Sequence, residues 1–440
     1  MIQGRATILA LVAFAAGACR EARVQADAGD PTALPPRPDG CREIAAGEPA
    51  QAALDDVAVT AVCLGAGAHL GPLRLARAVT LWGPAGAVVH NPAGTAIALV
   101  APGAAVLGLT IDGSGGRFEK VDAAVHVTAS DTRVEGVTVI HAMFGLVVEK
   151  SQRVQIVGNR VEGSQAPQAG LRGDTIRLWE TSDSLVADNL VEDGRDVVVW
   201  YSRGNRITGN RMLRGRYGLH FMYSHDNEVT GNQLLHGVVG IFVMYSRGLR
   251  LADNLIAGAA GAAGMAIGLK DSGNITVSGN RLIHDTIGIY IDSSPMQRGD
   301  QVEIEGNVLR LNDNAIVFHS SAHHVQVRDN DFADNQLPVR VDGGGTAVDV
   351  TWSGNYFDDY AGYDLDGDDV GDVAYQLRSL SNQLTSSNPG LALFRGTPAL
   401  ALVDAAAHLD PLYQPQLLLA DPAPRMGPRW SVGHVTGTAP

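Results

Sequence analysis

From about residue 60 to residue 357 the chain alternates apolar and polar residues over a few positions, turns, and starts again. Ile241 and Val243 alternate with Phe242 and Met244, and Ile289 and Ile291 alternate with Tyr290 and Asp292. Period-two alternation in short runs predicts strands rather than helices. Asparagines preceded by Gly or Asp punctuate the pattern at Asn159, Asn189, Asn210, Asn232, Asn254, Asn280, Asn307, Asn330 and Asn355. Their spacing repeats at about 22 residues with scattered insertions, which is the signature of a solenoid. Helical solenoid repeats are longer and richer in Leu, Ala and Glu, and no asparagine here sits in a leucine-rich frame. The expectation is an all-β, right-handed parallel β-helix of about 22-residue coils. The asparagines should stack at one turn, adopt left-handed geometry there, and bond the coils above and below.

Weaker units extend the pattern upstream, in "GPLRLARAVTLWG" (71–83) and "AAVLGLTIDGSG" (104–115). The stretch "EPAQAALDDVA" (48–58) reads as a short amphipathic helix that caps the first coil's open edge. After Asn355 the pattern stops. An acidic segment follows, then a tail with one helix predicted over 398–409. Thr397 is its N-cap, Pro398 its first residue, and Leu400, Leu402, Val403 and Leu409 form its apolar side. The boundaries read as an export signal over 1–18, a disordered tether over 19–40, the β-helix over 41–357, the acidic loop over 358–375 and the C-terminal tail over 376–440.

Register makes the outer faces legible. Counting back from each asparagine gives one outward column of Glu149, Trp179, Trp200, Met222, Met244, Lys270, Asp292 and, with a one-residue slip, His319. Beside it run Val147, Arg177, Val198, His220, Phe242, Gly268 and Tyr290, while the inward partners stay apolar. A turn column holds His141, Arg214, His236 and His284, and Tyr201, Tyr223 and Tyr245 recur once per repeat. One face thus gathers two Trp, two Met, a Phe and a His. Outward positions of a solenoid face solvent, and an exposed aromatic–methionine patch marks an interface, here with Trp179, Trp200 and Phe242 as its apolar rim. Thioether and imidazole together suit soft Cu(I), so Met222, Met244 and His220, with His225 in the following turn, are candidate ligands for transient copper.

Composition narrows the class. Charged residues are 18%, aromatics 5%, and glycines number 52. Such a balance suits a turn-rich all-β chain. A formal net charge of −14 argues against nucleic acid as a partner. Arg5 followed by "ATILALVAFAAGA" reads as an export signal too short to span a bilayer. Cleavage after Ala18 leaves Cys19 first, and "AGAC" resembles a lipobox, making Cys19 a candidate lipidation site in a periplasmic protein. Cys41 and Cys63 stand one repeat apart and are expected to form a disulfide between stacked strands in an oxidising compartment. In "DLDGDDVGD", Asp364, Asp366 and Asp368 alternate toward one hard cation and Asp372 is a fourth candidate ligand, the set of a structural calcium site. Asp369 stands where an EF-hand has glycine and Tyr375 where it has its bidentate Glu, so this is not an EF-hand.

At these residues the sequence resembles the NosD family, exported β-helix proteins serving copper insertion into nitrous oxide reductase. "GPLRLARAVTLWG", "GLHFMYSHDNEV", "VGIFVMYS", "GNYFDDYAGYDLDGDDVGD" and the closing "DPAPRM" carry the resemblance, from about residue 60 to 430. It implies work beside a membrane ABC transporter with its ATPase subunit and a copper chaperone, with no catalytic turnover and with the tail facing the transporter. The competing readings are a β-helix polysaccharide lyase or epimerase acting on uronate polymers, and a purely structural surface solenoid. An enzyme of that kind needs clustered carboxylates or a base with a basic neighbour on one face. Asp292, Asp271 and Glu149 are too dispersed to form a tight acid pair.

Overall fold

The computed structural model describes residues 34–164, 166–394, 397–409 and 415–430. The export signal and Cys19 lie outside the described residues, as does the tether up to residue 33. Three parallel sheets of 14, 12 and 13 strands wind around one apolar core as a right-handed parallel β-helix. Each coil contributes three short strands, and every strand pairs with its counterpart one coil away. Among the described residues no helix is long and apolar enough to cross a membrane.

Each of the three corners carries its own buried ladder. Between the 14- and 13-stranded sheets, each asparagine Nδ2 from Asn159 to Asn330 donates to the Oδ1 of the asparagine one coil on, at 2.8–3.0 Å. The backbone N–H donates to the same Oδ1, and Nδ2 gives its other hydrogen to a main-chain carbonyl of the preceding coil, as Asn210 does to Val186 at 2.9 Å. The left-handed residue is not the asparagine. It is the Gly or Asp before it, with φ from 55° at Asp188 to 68° at Gly354. The asparagine must aim its amide along the stack, so its neighbour takes the bend, and Asp tolerates that conformation nearly as well as Gly. A serine ladder (Ser202, Ser224, Ser246) lines the second corner. Asn312 and Asn335 belong to the third.

At the N-terminal end, helix α1 (Gln51–Asp55) buries Ala53 and Leu54 against the first coil, closing its edge. Cys41 and Cys63 are joined as a disulfide, Cα–Cα 5.7 Å, where Arg42–Ile44 pairs with Ala61–Leu64. The last residues of the tether are not free chain. The Pro35 carbonyl accepts from Trp82 Nε1 at 2.9 Å, and Arg37 lies over the same indole.

The C-terminal end departs from the sequence reading. The region after 376 is no separable tail, because it returns to close the last coil. Tyr375–Arg378 pairs antiparallel with Leu417–Asp421, burying Tyr375, Leu418 and Leu419. Asp421 then continues the asparagine ladder. Its Oδ2 accepts from Asn355 N–H at 3.1 Å and from Asn355 Nδ2 at 2.8 Å. The last rung needs only an acceptor, which a carboxylate supplies without a donor of its own. Arg425 fastens the same end, donating to the Gly354 and Asn330 carbonyls and to Asp331. Helix α2 (Leu380–Ser387), capped by Ser379, was not foreseen, whereas α3 (Pro398–Leu409) spans the expected residues. Thr397 Oγ1 donates to the Phe394 carbonyl instead of capping α3. The side of α3 read as apolar is split: Leu400 and Val403 are half-buried, while Leu402 and Leu409 are 70% and 84% exposed.

Asp421→Ala should leave both Asn355 donors unpaired in a buried place and cost roughly 2–6 kcal/mol in denaturant unfolding, at about 1–3 kcal/mol per orphaned group. Asp421→Asn keeps an acceptor and should lose much less. Equal losses would show that the rung is not what the aspartate provides.

Candidate functional site

The 12-stranded sheet carries the face read from the sequence. Its register stacks Glu149, Trp179, Trp200, Met222, Met244, Lys270 and Asp292 as successive partners. The second column also forms, from Val147 through Arg177, Val198, His220, Phe242 and Gly268 to Tyr290. Phe318 pairs with Ile291, so His319 follows Asp292 without a slip. The inward residues Leu219, Phe221, Ile241, Val243, Ile267 and Leu269 are fully buried.

His220 is the centre of this face. Although it points outward, it is 9% exposed, and neither ring nitrogen has a hydrogen-bond partner among the described residues. Three aromatic rings enclose it: Trp200 edge-on at 5.4 Å, Tyr217 stacked at 4.8 Å and Phe242 at 6.1 Å between centroids. Tyr217 reaches it because the register shifts between Asp196 and Val198, so two residues three apart share the outer face. Burial pushes the His220 pKa from 6.5 down to about 4; Asp196 opposes the shift and Arg216 and Arg195 add to it. The imidazole is therefore neutral at about pH 7, with a lone pair free. Leaving two buried polar atoms unpaired costs about 1–3 kcal/mol each, and a metal bound to the lone pair would relieve part of that cost.

Met222 lies on the same strand, Tyr217–Met222, and Met244 directly beside it on Val239–Met244; both are half-buried. A third thioether, that of Met265, lies beside the second column. A Cβ on Gly268 would fall 2.4 Å from the Phe242 ring and 2.6 Å from the Met265 sulfur, so the glycine makes room for both. Met265 was missed because the strand bulge changes which residues face outward, which a plain period of two does not show. Trp179 and Trp200 stand 5.6 Å apart, with the Arg177 guanidinium over both. Tyr201, Tyr223 and Tyr245 form a near-parallel stack beyond the methionine column.

His225 is not brought to this cluster. It follows left-handed Tyr223 and buried Ser224, and its Nδ1 accepts from the Arg247 N–H at 3.2 Å. Past Met244 the face turns charged: Lys270 Nζ donates to Asp292, and Tyr290 Oη lies 3.0 Å from His319 Nδ1.

In the acidic loop, Asp364, Asp366 and Asp368 each offer an oxygen within 4.8 Å of the others. Asp372 is turned to the backbone, its Oδ2 accepting from Leu365 N–H at 2.7 Å. Neighbouring Asp368 raises the Asp366 pKa, while backbone N–H donors, chiefly that of Gly367, lower that of Asp364. Asp369 adopts φ 65° in place of the absent glycine.

The fold and this face define a parallel β-helix protein with a soft-donor, aromatic-walled site on its outer sheet. Residues 163–362 match the family model for NosD, a periplasmic copper-binding protein. Two relatives bear the name probable ABC transporter binding protein NosD. That of Pseudomonas aeruginosa is 29% identical over 395 residues, covering 77% of this chain and 82% of its own length. That of Stutzerimonas stutzeri is 25% identical over 390 residues, covering 77% and 81%. A PL6 alginate lyase solved with a trisaccharide superimposes with a TM-score of 0.53 at 15% identity, over 73% of this chain and 86% of that one, a likeness of fold alone. Over residues 163–362 the chain is thus similar to NosD proteins.

The depressed His220 pKa has a consequence for acid stability. As pH falls from about 6.5 toward about 4, the unfolded chain binds a proton at this residue that the folded chain refuses. Stability is therefore lost across that window, at up to roughly 1.4 kcal/mol per pH unit. His220→Leu should flatten that part of the unfolding profile. An unchanged acid slope in the variant would mean His220 is not shielded.

Proposed function

We propose that this protein is a periplasmic copper-handling accessory factor that carries Cu(I) transiently at His220, Met222 and Met244 for copper-site assembly in nitrous oxide reductase. The observation that carries this reading is the buried, neutral and unpartnered His220 imidazole beside a column of two methionines. The donor set fits the cargo. One neutral nitrogen and thioether sulfurs suit a soft monovalent ion and add no negative charge, so binding is moderate and reversible, as delivery requires. His225 would join only if the following turn moved.

Trp179, Trp200 and Phe242 supply an apolar rim for a partner that exchanges the ion, in this reading a copper chaperone and the reductase itself. The relatives' names support association with an ABC transporter. Exposed Leu393, Leu402 and Leu409 around the C-terminal helices offer apolar surface for that docking. Lipidation at Cys19 would hold the protein near its membrane partner. The acidic loop, with Asp364, Asp366 and Asp368 as ligands and Asp372 bracing the backbone, would take calcium as a structural ion. Such a role predicts that calcium raises the melting temperature of the wild type but not of Asp366→Ala. An equal rise in both would remove the loop from the explanation.

The copper reading is tested by Met222→Leu combined with Met244→Leu, which removes both sulfurs and keeps the apolar volume. Cu(I) should quench the fluorescence of Trp200, which touches His220, in the wild type. The double variant should keep its melting temperature and lose most of its Cu(I) affinity and its ability to load the reductase. Undiminished binding and loading would reduce the methionines to packing.

A further inference from the structure

Asp285 sits at the corner between the 13- and 12-stranded sheets, one residue after left-handed His284 and just before the strand Ile287–Asp292. It occupies a rung of the third ladder. The two rungs above it are asparagines whose amides each donate to a main-chain carbonyl of the preceding coil. Asn312 Nδ2 donates to the Leu282 carbonyl at 3.2 Å and to Asn335 Oδ1 at 3.0 Å, and Asn335 Nδ2 donates to the Leu309 carbonyl at 2.8 Å. Asp285 reproduces the acceptor half of this pattern. Its Oδ1 accepts from the Ala259 N–H at 2.7 Å, and its own N–H donates to Asn312 Oδ1 at 2.9 Å.

Its Oδ2 stands where an asparagine has its amide nitrogen. Leu282 pairs with Ile256, so the step that takes Asn312 to the Leu282 carbonyl takes Asp285 toward that of Ile256. The oxygen is buried, with no hydrogen-bond partner among the described residues, and the residue is 2% exposed. An ionised carboxylate is acceptor-only, and among the described residues no donor bonds this oxygen. Asp421 is the contrast within the same molecule: it ends a ladder, where only acceptance is asked, and takes three donors, two from Asn355 and the Ala423 N–H.

The geometry points to Asp285 being held protonated at neutral pH, its Oδ2–H serving in place of an asparagine amide, so that deprotonation loosens the coils bearing Met265–Lys270 and Ile287–Asp292. The ionisable groups on the packed elements are exposed His236 and His284 at the same corner, Arg310 opposite Ile283, and exposed Asp313. None of them acts on the carboxyl appreciably: burial raises its pKa to about 8 against the N–H groups of Ala259, Ile283 and Gly258. The folded chain keeps this proton where the unfolded chain, with its ordinary carboxyl near 3.8, has lost it. Stability therefore falls as pH rises from about 4 to about 8 and levels off beyond. The folded-to-unfolded ratio drops up to about tenfold per pH unit in that window.

Asp285→Asn supplies the amide permanently. Melting temperatures of the wild type and this variant, measured from about pH 5 to about pH 9, should diverge in the variant's favour as pH rises and then run parallel. Curves parallel throughout would overturn the assignment. If the variant does not fold, hydrogen exchange of the wild type decides. Raising pH from about 6 to about 9 should speed exchange at the Ala259 and Asp285 amides beyond the intrinsic rise, with Asn232 and Asn254 unaffected. A uniform change in all three ladders would overturn it equally.

Discussion

Everything on the outer faces depends on one buried repeat: an asparagine amide that donates along the stack while accepting the backbone N–H of its counterpart one coil back. A solenoid of parallel strands has no tight hairpins to fix register, and a slip of one residue would exchange every inward Leu and Ile for an outward Met, Trp or Lys. The amide forbids that slip, since displaced rungs would leave buried donors and acceptors unpaired. Fixed register turns a linear sequence into columns, and columns place Met244 beside Met222 and near His220 although it lies a full repeat further along the chain.

Because the repeat is periodic, much of the architecture was readable beforehand. The asparagine spacing fixed the coil length, alternation fixed inside and outside, and the columns of the 12-stranded sheet followed by counting. What escaped were the breaks in periodicity. The bulge that brings Tyr217 onto His220 arises where Gly218 packs its backbone against Leu234 and the adjoining coil, a tertiary constraint invisible to alternation. Left-handed geometry falls on the residue before each asparagine because the amide's direction matters more than local propensity. The closing segment around Asp421 lies 66 residues from the asparagine it completes, too far for any repeat to announce it.

The soft face combines two physical demands that ordinarily oppose each other. A histidine kept neutral by burial is a better metal donor than a solvated one that competes with protons, yet burial leaves its nitrogens unpaired. The surrounding rings supply packing that offsets the loss, while the methionines add donors without charge. Lys270 and Asp292 beyond Met244, and Glu149 with His126 at the other end, bracket the apolar stretch with polar groups that remain paired. Charge is thereby kept to the margins of the face, and its centre is left to the aromatic rings, His220 and the methionines.

The central claim is that copper is held by this face through sulfur and one imidazole. X-ray absorption at the copper edge of the Cu(I)-loaded, full-length protein reads the donor atoms directly. A first shell containing sulfur together with a single nitrogen donor is the predicted result. A shell made only of nitrogen or oxygen would contradict it and move the copper away from Met222 and Met244.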